Sequence, residues 1–138
     1  MSLLGKALET INESDLQGLV DNRTIENKYL EYKRELPGER DSDKKEFLAD
    51  ISSFANTSGG DLIFGISTVR GTPREFCGLQ VANVDQEISR LENIMRTGLA
   101  PRIQTHIRPV GKSESRIAII VRVKKSWAAP HMITFKND

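Results

Sequence analysis

The chain has little sulfur and little histidine: one cysteine, Cys77, and two histidines in 138 residues. A single thiol cannot close an internal disulfide, and no paired cysteine or histidine spacing is present from which a structural zinc site could be built. Cys77 stands between Phe76 and Gly78, a setting typical of a small buried hydrophobe rather than a reactive thiol. We therefore expect a domain stabilised by its hydrophobic core, without a cofactor.

Long hydrophobic runs are also absent. No segment approaches eighteen consecutive apolar residues, and the start of the chain lacks the charged, apolar and small-residue order of a signal peptide. We expect a cytoplasmic protein with no membrane partner. The chain also lacks repeats and low-complexity segments, and 138 residues that are 38% hydrophobic suffice for one domain with a sizeable core.

The net charge of +1 conceals an uneven distribution. Residues 96–138 carry nine lysines and arginines against two acidic residues, a net charge of +7, so the first 95 residues carry about −6. A basic C-terminal third can follow a phosphate backbone, but a solvated hairpin surface with cationic side chains explains it equally well. The candidate nucleic-acid-binding residues are Arg96, Arg102, Arg108, Lys112, Arg116, Arg122, Lys124 and Lys125.

Hydrophobic periodicity predicts an α+β fold, a mixed sheet with helices packed on it in a single domain. Residues 4–20 have helical spacing with a Ser14–Gln17 capping box, and residues 43–55 form an amphipathic helix with Asp43 and Glu46 at its start. A third helix is predicted over residues 83–96. Strands are predicted over 25–35, 61–67, 103–107 and 116–123, with a loop or irregular hairpin over 68–78.

Glu26 and Glu31 are the first candidates for chemistry. In the predicted strand, alternation places Glu31 and Lys33 on one face, while Leu30 and Tyr32 lie on the other. Two carboxylates beside a lysine can hold a divalent cation that activates water. A solvated strand face whose charges protect the sheet edge is the alternative explanation.

A second candidate is the turn segment Asn56-Thr57-Ser58-Gly59-Gly60, where the motif residues are Asn56, Thr57, Gly59 and Gly60. Its glycines would allow a phosphate or base to approach the backbone, or would simply cap the helix and turn into a buried strand. Gly111-Lys112-Ser113 is not a phosphate-binding loop, because His106 stands where that motif needs a glycine. His106 and His131 are expected to be surface or locally bonded residues.

Two segments together resemble the Schlafen AlbA_2 family, the divergent Alba-like domains of bacterial transcriptional regulators and Schlafen proteins. They are Glu26-Asn27-Lys28-Tyr29-Leu30-Glu31-Tyr32-Lys33 and Phe54-Ala55-Asn56-Thr57-Ser58-Gly59-Gly60. The resemblance covers roughly residues 12–131. It implies an N-terminal extension over residues 1–11, an Alba-like domain over residues 12–131, and a tail or an artificial end over residues 132–138. It also implies that the domain binds nucleic acid, and DNA is the expected ligand.

The resemblance to Schlafen-type ribonucleases implies that Glu26, Glu31 and Lys33 are the catalytic residues. It also implies that Glu26 and Glu31 bind a metal cofactor, Mg²⁺ or Mn²⁺. The third family carboxylate would lie within residues 65–68, where this sequence has no acid. Trp127 lies in a closing segment that resembles the family's V-x-x-S-x-x-x-P-H region. It would either cover the core edge or stack on a base.

The sequence therefore predicts a DNA-binding domain of a transcriptional regulator, in which cations of the hairpin contact phosphates, rather than an enzyme. Two alternatives stay open. One is a metal-dependent endoribonuclease that uses the two glutamates and the lysine. The other is a module that forms a homodimer or docks a protein partner without binding nucleic acid.

Overall fold

The computed structural model describes residues 5–113, 115–127 and 130–135, and within them the chain forms three α-helices and eight strands. The helices are α1 (Glu13–Asp21), α2 (Asp41–Asn56) and α3 (Val84–Gly98). The strands are β1 (Leu30–Lys33), β2 (Gly60–Phe64), β3 (Ser67–Val69), β4 (Thr72–Glu75), β5 (Leu99–Ala100), β6 (Thr105–Ser113), β7 (Arg116–Val123) and β8 (Met132–Ile133). This element order confirms the predicted α+β class.

The main sheet has four strands in the order β1-β2-β7-β6. β1 and β2 are parallel and α2 connects them, whereas β2, β7 and β6 are antiparallel neighbours. Every residue of β2 is buried, which confirms that this strand is central and covered on both faces. Two short antiparallel pairs, β3 with β4 and β5 with β8, flank the sheet.

Each face of the sheet is covered by different elements. On one face, Leu62 and Phe64 of β2 pack with apolar side chains of α2 and α3. On the other, Ile63 packs with residues of α1 and of a 3₁₀ turn at Leu8–Thr10. The sheet is therefore the middle layer, and its alternating side chains supply both cores.

Helix starts differ in part from the prediction. α1 begins after Asn12, whose side chain forms a capping box with Asp15, so the predicted Ser14–Gln17 box is wrong. The side chain of Asn12 satisfies a free backbone N–H two residues earlier than predicted, and the residues before it form only the 3₁₀ turn. α2 begins after Arg40 without a side-chain cap, which places the predicted Asp43 start inside the helix.

The first residues of the described chain belong to the core. Leu8 and Ile11 are buried, with 8% and 0% of their surface exposed, although they lie in the segment expected to be an extension. At the other end, Met132 and Ile133 form β8 against β5. None of the helices in the described part of the chain has the length and hydropathy needed to cross a bilayer.

Candidate nucleic-acid interface and carboxylate cluster

Lys33 lies at the centre of a group of acidic side chains from β1 and α2. Its Nζ is 3.7 Å from Oε1 of Glu31, 3.3 Å from Oε1 of Glu46 and 3.6 Å from Oδ2 of Asp50. Alternation along β1 turns Glu31 and Lys33 toward α2, where Glu46 and Asp50 are one turn apart on one helix face. With Glu26, these carboxylates form what we call the carboxylate cluster.

Glu26 joins the cluster from the open edge of β1. Its Oε2 accepts a hydrogen bond from the backbone N–H of Tyr32 at 3.0 Å, and its own backbone N–H donates to the carbonyl of Gly71. Burial, followed by the nearby charges of Glu26 and Asp50, raises the pKa of Glu31 to about 7.

The other members of the cluster are shifted as well. Burial raises the pKa of Asp50, although the Lys33 ammonium opposes this. Burial alone would lower the pKa of Lys33, but Asp50, Glu46 and Glu31 together raise it. One ammonium therefore serves three carboxylates, while the pKa of Glu31 stays raised because its burial and the neighbouring carboxylates outweigh the Lys33 charge.

The structure brings together Glu26, Glu31 and Lys33, the three residues that the sequence singled out for catalysis. Glu46 and Asp50 were missed, although their spacing of four residues on the helix after β1 could have indicated them. Among the residues that the structure describes, no group of three potential ligands is placed to hold a metal ion. The Lys33 ammonium fills the centre of the cluster, so this arrangement does not fit Mg²⁺ or Mn²⁺.

The predicted motif turn joins α2 to β2 under tight steric limits. Gly59 has a φ of +72°, and its N–H donates to the carbonyl of Phe54 at 2.7 Å, which ends the helix. A Cβ on Gly59 would lie 2.9 Å from both the backbone nitrogen of Lys125 and the carbonyl oxygen of Val123. A Cβ on Gly60 would collide with the Phe54 ring. Both glycines therefore allow close packing of the backbone.

Asn56 fastens this turn to the end of the chain. Its Nδ2 donates to the carbonyl of His131 at 3.2 Å, and its Oδ1 accepts from the N–H of His131 at 2.7 Å. The N–H of Ser126 donates to the carbonyl of Ala55, and the hydroxyl of Ser58 donates to the carbonyl of Lys28. The turn thus holds three segments that are distant in the sequence.

Two lysine and aromatic pairs flank the turn. Lys28 Nζ lies 4.9 Å from the ring centroid of Tyr29, and Lys125 Nζ lies 5.2 Å from that of Trp127. Trp127 is 92% exposed, so the expectation that it covers the core edge is wrong. We define the lysine–aromatic surface as Lys28, Tyr29, Lys124, Lys125 and Trp127.

Two of the eight candidate cations have interior partners. Arg122 Nε lies 2.8 Å from Oδ1 of Asp61, which is 0% exposed, and its Nη1 donates to the carbonyl of Lys6. Arg108 Nε donates to the carbonyl of Ile11 at 3.1 Å. Both arginines therefore hold the N-terminal segment against the sheet, and whether either also meets a phosphate stays a prediction.

The remaining cations do not form one continuous surface. Lys112 and Arg116 lie at the turn between β6 and β7, whereas Lys124 and Lys125 lie beyond the opposite end of β7. The eight residues of β7 separate these ends by about 27 Å. Arg96 and Arg102 line a separate groove at the end of α3. Whether any of them binds a phosphate stays a prediction.

The histidines are placed differently from each other. His106 is exposed on β6. His131 is 4% exposed, and its Nδ1 lies 2.6 Å from the carbonyl oxygen of Pro101. Its role in the described structure is to lock the closing segment to the body of the domain.

Comparisons with known proteins agree with this architecture. No curated protein matches the chain. A solved structure, the N-terminal domain of a Nitrosomonas europaea protein named as related to the ATP-dependent DNA helicase RecG, has the same fold with a TM-score of 0.63. That alignment has 18% identity and covers 88% of this chain and 81% of the other. Residues 26–138 match the model of the family described as Schlafen, AlbA_2, and the chain therefore belongs to that family.

Proposed function

We propose that this domain binds nucleic acid, with DNA the expected ligand, and that the lysine–aromatic surface is where it binds. The observation that supports this proposal is the excess of lysines over acidic residues in the segments around the motif turn. The segments that meet there, residues 27–30, 53–60 and 123–127, contain the three lysines Lys28, Lys124 and Lys125 and no acidic residue. Three lysines with no acidic residue among these segments favour a polyanion.

The fold fixes the relative positions of these lysines. β2 runs between β1 and β7, so Lys28 and Lys124 lie on opposite sides of Gly59 and Gly60. Two strand spacings put their backbones about 10 Å apart. The Ser58 and Ser126 hydrogen bonds hold both flanks, so the ammonium groups extend from a rigid base. Such contacts fix position and affinity and do not read base sequence.

Family membership adds support, because the resemblance implies nucleic-acid binding. The similar fold from Nitrosomonas europaea belongs to a protein named as related to a DNA helicase. The same resemblance leads us to propose that this domain serves a transcriptional regulator. Within such a protein it would supply phosphate affinity.

A titration tests the proposal. Fluorescence anisotropy with labelled oligonucleotides at 50 and 200 mM salt should show binding that weakens as salt rises, with a log–log slope of about −2 to −3 for three phosphate contacts. Lys124→Ala combined with Lys125→Ala should reduce the steepness of that slope by about 1.5. Lys112→Ala combined with Arg116→Ala removes the same charge about 27 Å away and should leave it unchanged.

The absence of salt-dependent binding would overturn the proposal and favour a protein-interaction module. Equal losses for the two double variants would move the binding site to the hairpin cations as a whole. Both outcomes are readable from the same titration.

Ribonuclease activity is the competing function, since Glu26 and Glu31 do lie together beside Lys33. The present arrangement of the cluster does not fit a divalent cation, and we therefore do not propose this activity. Incubation with structured RNA and Mn²⁺ or Mg²⁺ separates the two functions. Cleavage by the natural chain that Glu31→Gln abolishes would replace our proposal.

A further inference from the structure

We infer that the lysine–aromatic surface takes single-stranded nucleic acid, with unpaired bases stacking on Trp127 and Tyr29. This inference rests on the proposed function and specifies the class of ligand. Its basis is the pairing of each exposed aromatic ring with a lysine on both sides of the motif turn.

Hydrogen bonds fix the chain at Ser126 and at His131, which precede and follow Trp127 in the sequence. The N–H of Ser126 is bonded to Ala55, and His131 is bonded through both backbone groups to Asn56. The indole itself is 92% exposed, although it is a large apolar side chain. Because the backbone next to the ring is already fixed at Ser126, less conformational entropy is lost when a flat ligand covers the indole, which favours binding.

Tyr29 offers a second ring across the turn. Its backbone N–H donates to Oδ1 of Asn27, its carbonyl accepts from the N–H of Asp61, and its side chain is 37% exposed. Asn27 and Asp61 thus fix the backbone from which the ring projects. The two rings and their lysines can therefore bind successive parts of one strand.

The combination of charge and rings favours an unpaired strand over the alternatives. Bases in a duplex are stacked on one another and present only their edges, whereas an unpaired base offers its face to an aromatic side chain. A lysine near each ring is placed to meet the phosphate of the stacked nucleotide. Protein interfaces, by contrast, are depleted of lysine, and here three lysines accompany two aromatic residues.

Trp127 is the only tryptophan in the chain, so its fluorescence reports directly on this surface. Titration with a twelve-nucleotide oligothymidine should quench the indole emission, and a twelve-base-pair duplex at the same salt should bind at least ten times more weakly. Trp127→Ala should weaken binding of the single strand about 5- to 150-fold without changing the salt slope. Trp127→Phe should retain most of the affinity.

Val69→Ala is the matched control, because it removes an exposed apolar side chain from β3 and should leave affinity unchanged. Tyr29→Ala should cause a smaller loss than Trp127→Ala, since its ring is less exposed.

The outcomes distinguish this inference from the proposed function. If the single strand binds by anisotropy with the expected salt slope, but indole emission is constant and Trp127→Ala binds normally, stacking is wrong and nucleic-acid binding stands. If neither oligonucleotide binds, both are wrong. If emission shifts with protein concentration in the absence of oligonucleotide, the ring faces a second copy of the chain, and the inference is overturned.

Discussion

The side-chain amide of Asn56 holds both backbone polar groups of His131, seventy-five residues further along the chain. The end of α2 therefore bonds the backbone at His131 through both its N–H and its C=O, as a neighbouring strand would. The family motif N-T-x-G-G therefore has a structural task in this chain, because its asparagine and glycines secure the segment that carries Trp127.

Asn56→Ala should lower the free energy of unfolding by about 1 to 2 kcal/mol, because it deletes two hydrogen bonds to one residue. Urea unfolding measures the loss. Asn93→Ala makes the same chemical change on an exposed position of α3 and should cost little. Equal losses in the two variants would show that the link to His131 contributes nothing.

The ion pair between Arg122 and Asp61 is expected to be the most sensitive polar contact in the domain. Arg122→Met leaves the fully buried Asp61 carboxylate without its partner and should destabilise the fold by about 3 to 5 kcal/mol. Adding Asp61→Leu should restore part of that loss, since an uncompensated charge is removed. Arg116→Met, at an exposed position of the same strand, provides the control in thermal unfolding.

Glu31 should make the domain less stable as pH rises. Its ordinary pKa of 4.5 rises to about 7 on folding, chiefly through burial, so the folded state binds more protons than the unfolded state between these values. Stability is therefore fully present below about pH 4.5 and is lost as pH rises through about 7. Glu31→Gln should be close to the natural chain at pH 5 and more stable at pH 8, by about 1 to 2 kcal/mol after solvent screening.

Urea unfolding at the two pH values measures this difference. Glu92→Gln, at an exposed position of α3, should follow the natural chain at both. A natural chain whose stability rises between pH 5 and pH 8, with Glu31→Gln unchanged relative to it, would contradict the raised pKa of Glu31.

The N-terminal segment should be needed for folding, although the family match begins only at residue 26. Ile11→Ala should cost about 2 to 5 kcal/mol, because Ile11 is fully buried against the sheet. Glu9→Ala, on the exposed side of the 3₁₀ turn, should cost little. A chain that starts at residue 26 should lack a cooperative unfolding transition by circular dichroism; a sharp transition would contradict this.

The fold was largely predictable because its signals are local. Alternation in β1 and β7 and the apolar stripe of α2 depend on neighbouring residues, and the structure confirms these elements. Capping of α1 was mispredicted because several side chains near its start are able to cap, and Asn12 is the one in the extended conformation that capping requires.

The site was less predictable because its contacts are distant in the sequence. The meeting of Lys33 with Asp50 depends on how α2 lies on β1, and the Arg122 partner is set by the register between β2 and β7. Neither can be obtained from one segment. The exposure of Trp127 likewise could not be obtained from its own segment.

The central position of β2 also shapes how the chain acquires its structure. β2 is buried on both faces, and its second hydrogen-bonded neighbour, β7, is not synthesised until more than fifty residues later. During translation, one edge of β2 stays unpaired while the intervening helix, α3, emerges from the ribosome. The nascent chain is therefore most prone to aggregation between the completion of β2 and the completion of β7.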